Sequence, residues 1–369
     1  MSIADLQPGA RALELSFVGG GTATYPYIWL RDNCPAAFHP DTEERVLDLL
    51  SVDAAPRPDD VRVDGDALVI AWAGEGHESR FPTAWLRRHR PGQIGGDDAR
   101  IPPTLWRHGH AIGRHAADAI LADDAALRVW LSALASTGLT IVEGVGGVAE
   151  RGVAVAERVG FLRRTNFGTT FEVRTKPDPN NLAYTSEALP LHTDLPNQEV
   201  PPGYQFLHCL KNGASGGGSV FADGFAIAED LRTEDPEAFA LLRDIDIPFR
   251  FHDRSTDIRV RRPVITCDRE DRVIEIRWNA HLADVFDMGT DVIEAYYRAY
   301  RAMMERMRQP RYQLTVRLAP REMVVFDNRR VLHGREAFDP TSGERHLHGH
   351  YVDRGEVDAR IRMLGASGV

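Results

Sequence analysis

Lysine is almost absent from this chain. Only Lys176 and Lys211 occur, and every other basic residue is arginine. We read this as genomic bias, since Arg supplies the same surface charge. Positive charge is also in deficit, with a formal net charge of −10 and a pI near 5.8. A general nucleic-acid binder usually carries a basic face, so that class is excluded. Cysteine is sparse and odd in number: Cys34, Cys209 and Cys267, far apart. That count excludes a disulfide framework and fits a reducing compartment. No apolar run approaches the ~18 residues that a membrane-spanning helix needs. The opening MSIADLQPGARALEL has no basic-then-apolar signal pattern. These absences lead us to expect a cytoplasmic protein with no nucleic-acid or membrane partner.

What is present suits a globular enzyme. The 369 residues, 43% hydrophobic and 27% charged, suffice for one large domain and one small one. Residues 11–90 read as short strands with Gly-rich turns, among them TATYPYIWL, ALVIAWAG and SRFPTAWL. The stretch PGQIGGDDARIPP is rich in Gly and Pro and reads as a linker. We therefore expect a β-rich N-terminal domain over 1–92, a linker over 93–105 and a second domain over 106–369. In the second domain, helices are expected around Leu121–Ser136 and Glu150–Leu162, with the strand Leu139–Val142 between them. Strands dominate from Tyr204 on, interrupted by helix-like stretches at Phe225–Arg243 and Thr290–Arg308. The expected class is mainly β with flanking helices (α+β). Its core would be a double-stranded β-helix, a jelly-roll relative.

The chemistry centres on LPLHTDLPNQEVPPG, from Leu189 to Gly203. Side chains two apart on an extended segment share a face, so His192 and Asp194 would present an imidazole beside a carboxylate. With a distant His they make the 2-His-1-carboxylate set that holds non-haem Fe(II) with open positions. His333, in FDNRRVLHGRE, is the best third ligand. An H-x-D alone arises often by chance; its Leu and Pro flanks and the downstream H-G-R strengthen it. The strand ERHLHGHY carries Arg345 twelve residues after His333, with Leu347, Gly349 and Tyr351 on the same face. His346, His348 and His350 alternate with them. Only one face of a barrel strand points inward. We place Arg345 inward, where its guanidinium suits a dicarboxylate. The histidines then face outward or into a neighbouring layer.

Two glycine-rich stretches have plainer readings. IVEGVGGVA, at 141–149, imitates G-x-G-x-x-A but lacks the alternating βαβ context. The Gly216–Gly218 run lacks the lysine of a phosphate loop. It reads as a tight turn that leaves the Ser219 hydroxyl available to a carboxylate.

Five stretches together carry a family resemblance: WLRDNCP, NNLAYTSEALPLHTDLP, PPGYQFLHCLKNGASGGGSVFADGF, FDNRRVLHGREAF and GERHLHGHYVDRGEVDARIR. The chain resembles the γ-butyrobetaine hydroxylase and trimethyllysine dioxygenase branch of the TauD-like Fe(II)/2-oxoglutarate dioxygenases. The resemblance implies that His192, Asp194 and His333 bind Fe(II). It implies that Arg345, with Ser219 a weaker contact, binds 2-oxoglutarate, that O2 is co-substrate and that ascorbate can stimulate turnover. It implies an aromatic cage for a trimethylammonium group at Phe167, Phe171, Tyr184 and Tyr351, with Asn181 and Asn279 at the substrate's anionic end. Phe167 and Phe171, four apart, would otherwise be core residues. The implied reaction is hydroxylation of γ-butyrobetaine by a homodimer. The alternatives are another quaternary ammonium (trimethyllysine or a trimethylammonioethylphosphonate), a taurine-like sulfonate, and a non-catalytic binding protein. The family's zinc-binding positions fall on Cys34, Ala36, His39 and His77. Ala36 cannot ligate and a structural zinc wants four ligands, so a fully occupied zinc site is not expected.

Overall fold

The computed structural model describes residues 2–93, 96–175 and 185–366. The chain divides into two compact units, Met1–Asp97 and Asp98–Val369.

The first unit holds two three-stranded antiparallel sheets. One is Ile3–Pro8, Ala12–Phe17 and Thr22–Pro26; the other is Pro58–Asp64, Ala67–Trp72 and Glu78–Pro82. Period-two patterning builds its core: Leu13, Leu15 and Phe17 are buried, while Glu14 and Ser16 between them are not. Two stretches that read as continuous strands are not. TATYPYIWL leaves the sheet at Pro26 and becomes the helix Tyr27–Asp32; SRFPTAWL does the same at Pro82 and becomes Thr83–Arg88. Proline cannot donate to a ladder and suits a helix start, so it ends each strand despite the β-prone residues that follow.

The second unit is a two-sheet jelly roll. The larger sheet runs Gly113–Ala116, Leu139–Glu143, Met323–Asp327, Tyr204–Asn212, Arg345–Val352 and Thr170–Val173. The smaller runs Leu189–His192, Val331–Arg335, Ser219–Asp223 and Leu314–Val316. Alternation along each strand sorts side chains into three layers. Leu207, Phe221, Phe326 and Leu347 fill the space between the sheets. Trp130, Phe206, Val325 and Val352 pack the back of the larger sheet against helices. Leu332, Ile227, Phe239 and Tyr296 pack the back of the smaller one.

The helices follow local signals. Asp123 caps Asp124–Thr137 by accepting from the Ala125 and Ala126 N–H groups, and Gly138 ends it at φ 72°. Leu127, Trp130, Leu131 and Leu134 form its buried stripe. The helix expected from Leu121 is broken here, because Asp123 ends Ala117–Ala122 and caps the next. Likewise Phe225–Arg243 is two helices, Gly224–Glu234 and Pro236–Asp244, separated at Asp235. Pro236 lacks the N–H that would continue the first helix, and Asp235 caps the second.

The chain crosses from the larger to the smaller sheet between Asp327 and Val331. Arg330 and Asp223, both buried, pin that crossing by a bidentate pair of 3.0 and 2.8 Å. Arg330 also donates to the Ser136 and Thr104 carbonyls. His333 lies three residues beyond this clamp.

Candidate active site

His192 ends the strand Leu189–His192 and pairs across the ladder with His333 on Val331–Arg335. Asp194 is not on the strand. The extended geometry stops at His192, and the chain turns through Thr193 to Leu195, a non-glycine residue at φ 54°. Two clamps hold this turn. The Thr193 N–H donates to the Trp278 carbonyl (2.6 Å), and the Trp278 N–H donates to Thr193 Oγ1 (3.0 Å). The Asp194 N–H donates to Asn328 Oδ1 (2.7 Å), while Asn328 Nδ2 donates to the Asp194 carbonyl (3.0 Å). So His192 and Asp194 share a face through a fixed turn rather than through strand pleat.

The result is a tight donor set. His192 Nε2 lies 3.3 Å from Asp194 Oδ1, and His333 Nε2 lies 3.7 Å from the same oxygen. Among the described residues this is the one group of three His, Cys, Asp or Glu side chains whose ligand atoms all lie within 4.8 Å of one another. His192 Nδ1 sits 2.8 Å from the Pro190 carbonyl. A proton on Nδ1 leaves Nε2 free to ligate, the usual orientation of a metal-binding imidazole. Burial, with His192 adding to it, pushes the His333 imidazole down to about 3, so it is held neutral, as a ligand must be. Burial opposes ionisation of Asp194, but His333, His192 and Tyr351 outweigh it and hold the carboxyl well below its usual range. Burial lowers His192 too, yet the carboxylate of Asp194 outweighs that and the net direction is up. Two imidazoles and one carboxylate, with no fourth protein ligand among the described residues, suit a divalent ion that keeps open positions.

The triad opens onto a cavity of about 510 Å³ between the sheets. On one side stand Arg345, Arg335 and Ser219. Arg345 is buried, its Nε has no hydrogen-bond partner, and it pairs with no carboxylate among the described residues. Burial lowers its basicity, and Arg335 is pushed down to about 10 by burial and by Arg345. A buried guanidinium without a counter-charge is costly. This side of the cavity therefore calls for an anion.

Aromatic rings line the cavity as well. Phe171 packs on Tyr351 at 5.1 Å, and Phe167 meets Phe251 edge-on at 5.4 Å. Gly349 makes the first pair possible, because a Cβ there would collide with the Phe171 ring. Asn279 lines the same cavity, its Oδ1 accepting from the His281 N–H at 3.0 Å. Tyr184 and Asn181 lie outside the described residues. His346, His348 and His350 point away from the cavity; His350 stacks on Phe206, in the helix-facing layer.

Residues 105–351 match the model of the taurine catabolism dioxygenase TauD, TfdA family. The chain belongs to the TauD/TfdA dioxygenase family. Residues 4–91 match the γ-butyrobetaine hydroxylase-like N-terminal family. This TauD/TfdA chain is 41% identical to the γ-butyrobetaine dioxygenase of Pseudomonas sp. (strain AK-1), over 96% of this chain and 94% of that one. It is 29% identical to the human γ-butyrobetaine dioxygenase, over 98% and 96%. With the mitochondrial trimethyllysine dioxygenase of Gallus gallus it shares 31%, over 92% and 83%. Among solved structures, asparagine oxygenase in complex with Fe(II), a hydroxyasparagine and succinate superposes with a TM-score of 0.51 at 19% identity, over 64% and 83%. A likeness that distant speaks for the TauD/TfdA fold.

In the N-terminal unit, Cys34 Sγ lies 3.3 Å from His77 Nε2. His39 instead accepts from the Asp41 and Thr42 N–H groups through Nδ1. Several residues that shape the site carried no clear signal in the sequence. Arg335 was legible in principle, since it stands two after His333 and so shares its face. Asn328, Thr193 and Phe251 were not, because their roles depend on partners far away in the chain.

Proposed function

We propose that this chain is an Fe(II)- and 2-oxoglutarate-dependent dioxygenase that hydroxylates γ-butyrobetaine. One arrangement carries the reading: a three-ligand His192–Asp194–His333 set between an unpaired buried guanidinium and an aromatic wall. When bound, iron and 2-oxoglutarate supply the chemistry that splits O2, placing one oxygen atom in succinate and one in the new C–OH, with CO2 released.

The protein's residues bind, orient and exclude. His192, Asp194 and His333 would hold the iron and leave its other positions to ligands. Arg345 would pair with the far carboxylate of 2-oxoglutarate, with Ser219 beside it. Phe167, Phe171, Tyr351 and Tyr184 would face the trimethylammonium group, a cation that no hydrogen bond can satisfy but that aromatic faces attract. Asn279 and Asn181 would take the anionic end. The apolar part of the lining, among it Leu189, Leu195 and Leu207, would help keep water from the reacting carbon.

The reading extends to a homodimer in the cytoplasm. Three free cysteines suit a reducing compartment, and the dimer follows from the family resemblance; sedimentation velocity tests it. The test of function is a turnover panel under Fe(II) and 2-oxoglutarate. γ-Butyrobetaine should give the highest kcat/KM for succinate release, ahead of trimethyllysine, 2-(trimethylammonio)ethylphosphonate and taurine. Preference for taurine would overturn the trimethylammonium reading. No substrate-dependent succinate with any of them would point to a binding protein.

A further inference from the structure

The two oxygens of Asp194 have different surroundings. Oδ1 faces both imidazoles, 3.3 Å from His192 Nε2 and 3.7 Å from His333 Nε2. Oδ2 accepts a hydrogen bond from the Tyr351 hydroxyl at 2.8 Å. The backbone beneath them cannot slide, because Asn328 pairs with both the N–H and the carbonyl of Asp194. One internal freedom then matters: rotation of the carboxylate, which would bring Oδ2 toward the ligand atoms. Tyr351 opposes that rotation.

We propose that the Tyr351 hydroxyl is a positioning group that holds Asp194 to ligation through Oδ1 alone. This rests on the reading of His192, Asp194 and His333 as the metal site. A carboxylate that ligates through both oxygens takes one more position on the ion. A three-ligand site that must admit a chelating co-substrate and O2 has none to spare. A charge-assisted bond from a phenol to the oxygen that does not ligate keeps that position open.

The same residue belongs to the aromatic wall. Its ring lies 5.1 Å from that of Phe171, and its carbonyl accepts from the Arg163 N–H at 2.8 Å, which anchors the strand. One side chain thus touches the space for the substrate with its ring and the metal ligand with its hydroxyl. A ligand pressing on the ring is felt at Asp194 through a single bond.

Tyr351→Phe separates the two roles, since it keeps the ring and removes the hydroxyl. The probe is Co(II) added to the metal-free full-length protein, with no substrate present. With Oδ2 freed to ligate, Co(II) affinity should change by about 10-fold or more, and the d–d spectrum of the Co(II) protein should change with the coordination number. In turnover, succinate released per hydroxylated product should rise. Wild-type Co(II) affinity, spectrum and coupling in Tyr351→Phe would overturn the proposal, even if the KM for substrate moved. Should Tyr351→Phe be poorly folded, Tyr351→His, which retains a donor, decides. Recovery of wild-type Co(II) affinity supports the proposal, and a change as large as in Tyr351→Ala overturns it. The metal reading has its own control. If Asp194→Ala binds Co(II) as the wild type does, the ligand set is wrong, and the role of Tyr351 falls with it.

Discussion

Arg345 shows what a single residue contributes when it is buried with no carboxylate partner among the described residues. Its guanidinium lines the cavity, and its Nε makes no hydrogen bond. An anion that binds there meets a charge already desolvated and oriented. If that anion is 2-oxoglutarate, Arg345→Ala should raise its apparent KM by roughly two orders of magnitude, the worth of a good charge-assisted pair. Steady-state kinetics with 2-oxoglutarate varied at saturating substrate checks this. A change confined to the KM of the substrate would move Arg345 to the other pocket. At this scale the sequence was informative wherever a motif repeats a local geometry. H-x-D, H-G-R and the alternating strand around Arg345 all converge on the cavity. Asn328 left no such trace, because an Asn in the turn FDNRR looks like any turn residue. Its importance lies in hydrogen bonds to Asp194, 134 positions earlier. Phe251 likewise sits in a hairpin strand with an ordinary alternating pattern.

Elements depend on the joints between them. The crossing from the larger to the smaller sheet is pinned by Arg330 and Asp223, both buried. Removing one partner leaves an uncompensated buried charge, so Asp223→Ala should destabilise the fold by about 3–5 kcal/mol. Denaturant unfolding checks it; a loss below about 1 kcal/mol would mean the pair is no better than a surface one. The Arg345–Val352 strand offers a second test on its helix-facing side. His350 is held down to about 3 by burial first, then by His348 and His208. A free histidine titrates near 6.5, so in the acid range the unfolded chain takes a proton that the folded chain refuses. This contribution to stability is complete above about pH 6.5 and is lost as pH falls toward 3. His350→Phe should therefore flatten the acid limb of the Tm–pH profile. An unchanged limb would show that other groups govern it. Element boundaries were legible where a glycine closed a helix, as at Gly138, and were missed at Pro26 and Pro82, where β-prone residues continue past the proline. They were misjudged where a cap fell inside a periodic stretch, as at Asp123 and Asp235, because the apolar period continues across both.

At the scale of the molecule, the fold class followed from patterning and from the placing of the metal-ligand motifs on strands. The pairing of strands did not, since each sheet mixes segments from both ends of the second unit. Substrate choice belongs to this scale because the cavity wall comes from several strands. If Phe167, Phe171 and Tyr351 meet a trimethylammonium group, the neutral tert-butyl isostere should bind at least about tenfold more weakly, given ~0.5–2 kcal/mol for each well-placed ring. Equal kcat/KM for the two would return Phe167 and Phe171 to the core. The N-terminal unit calls for a different measurement. With Ala36 unable to ligate and His39 turned to its own loop, protein purified without chelators should carry less than stoichiometric zinc. Stoichiometric zinc that disappears in Cys34→Ser would show that another ligand has been recruited.

The pieces of the metal site are far apart along the chain: His192 and Asp194 near the middle, Asn328 and His333 late, Tyr351 later still. Every tie from His192 or Asp194 to the later residues closes a loop of more than a hundred residues. Loops of that size close slowly and only after much of the chain has collapsed. A chain emerging from the ribosome thus has no complete ligand set until His333 has been made and its strand has paired with Leu189–His192. Metal capture is then the last event of maturation rather than a nucleus for it. Refolding rates should be indifferent to Fe(II), while unfolding should slow in its presence.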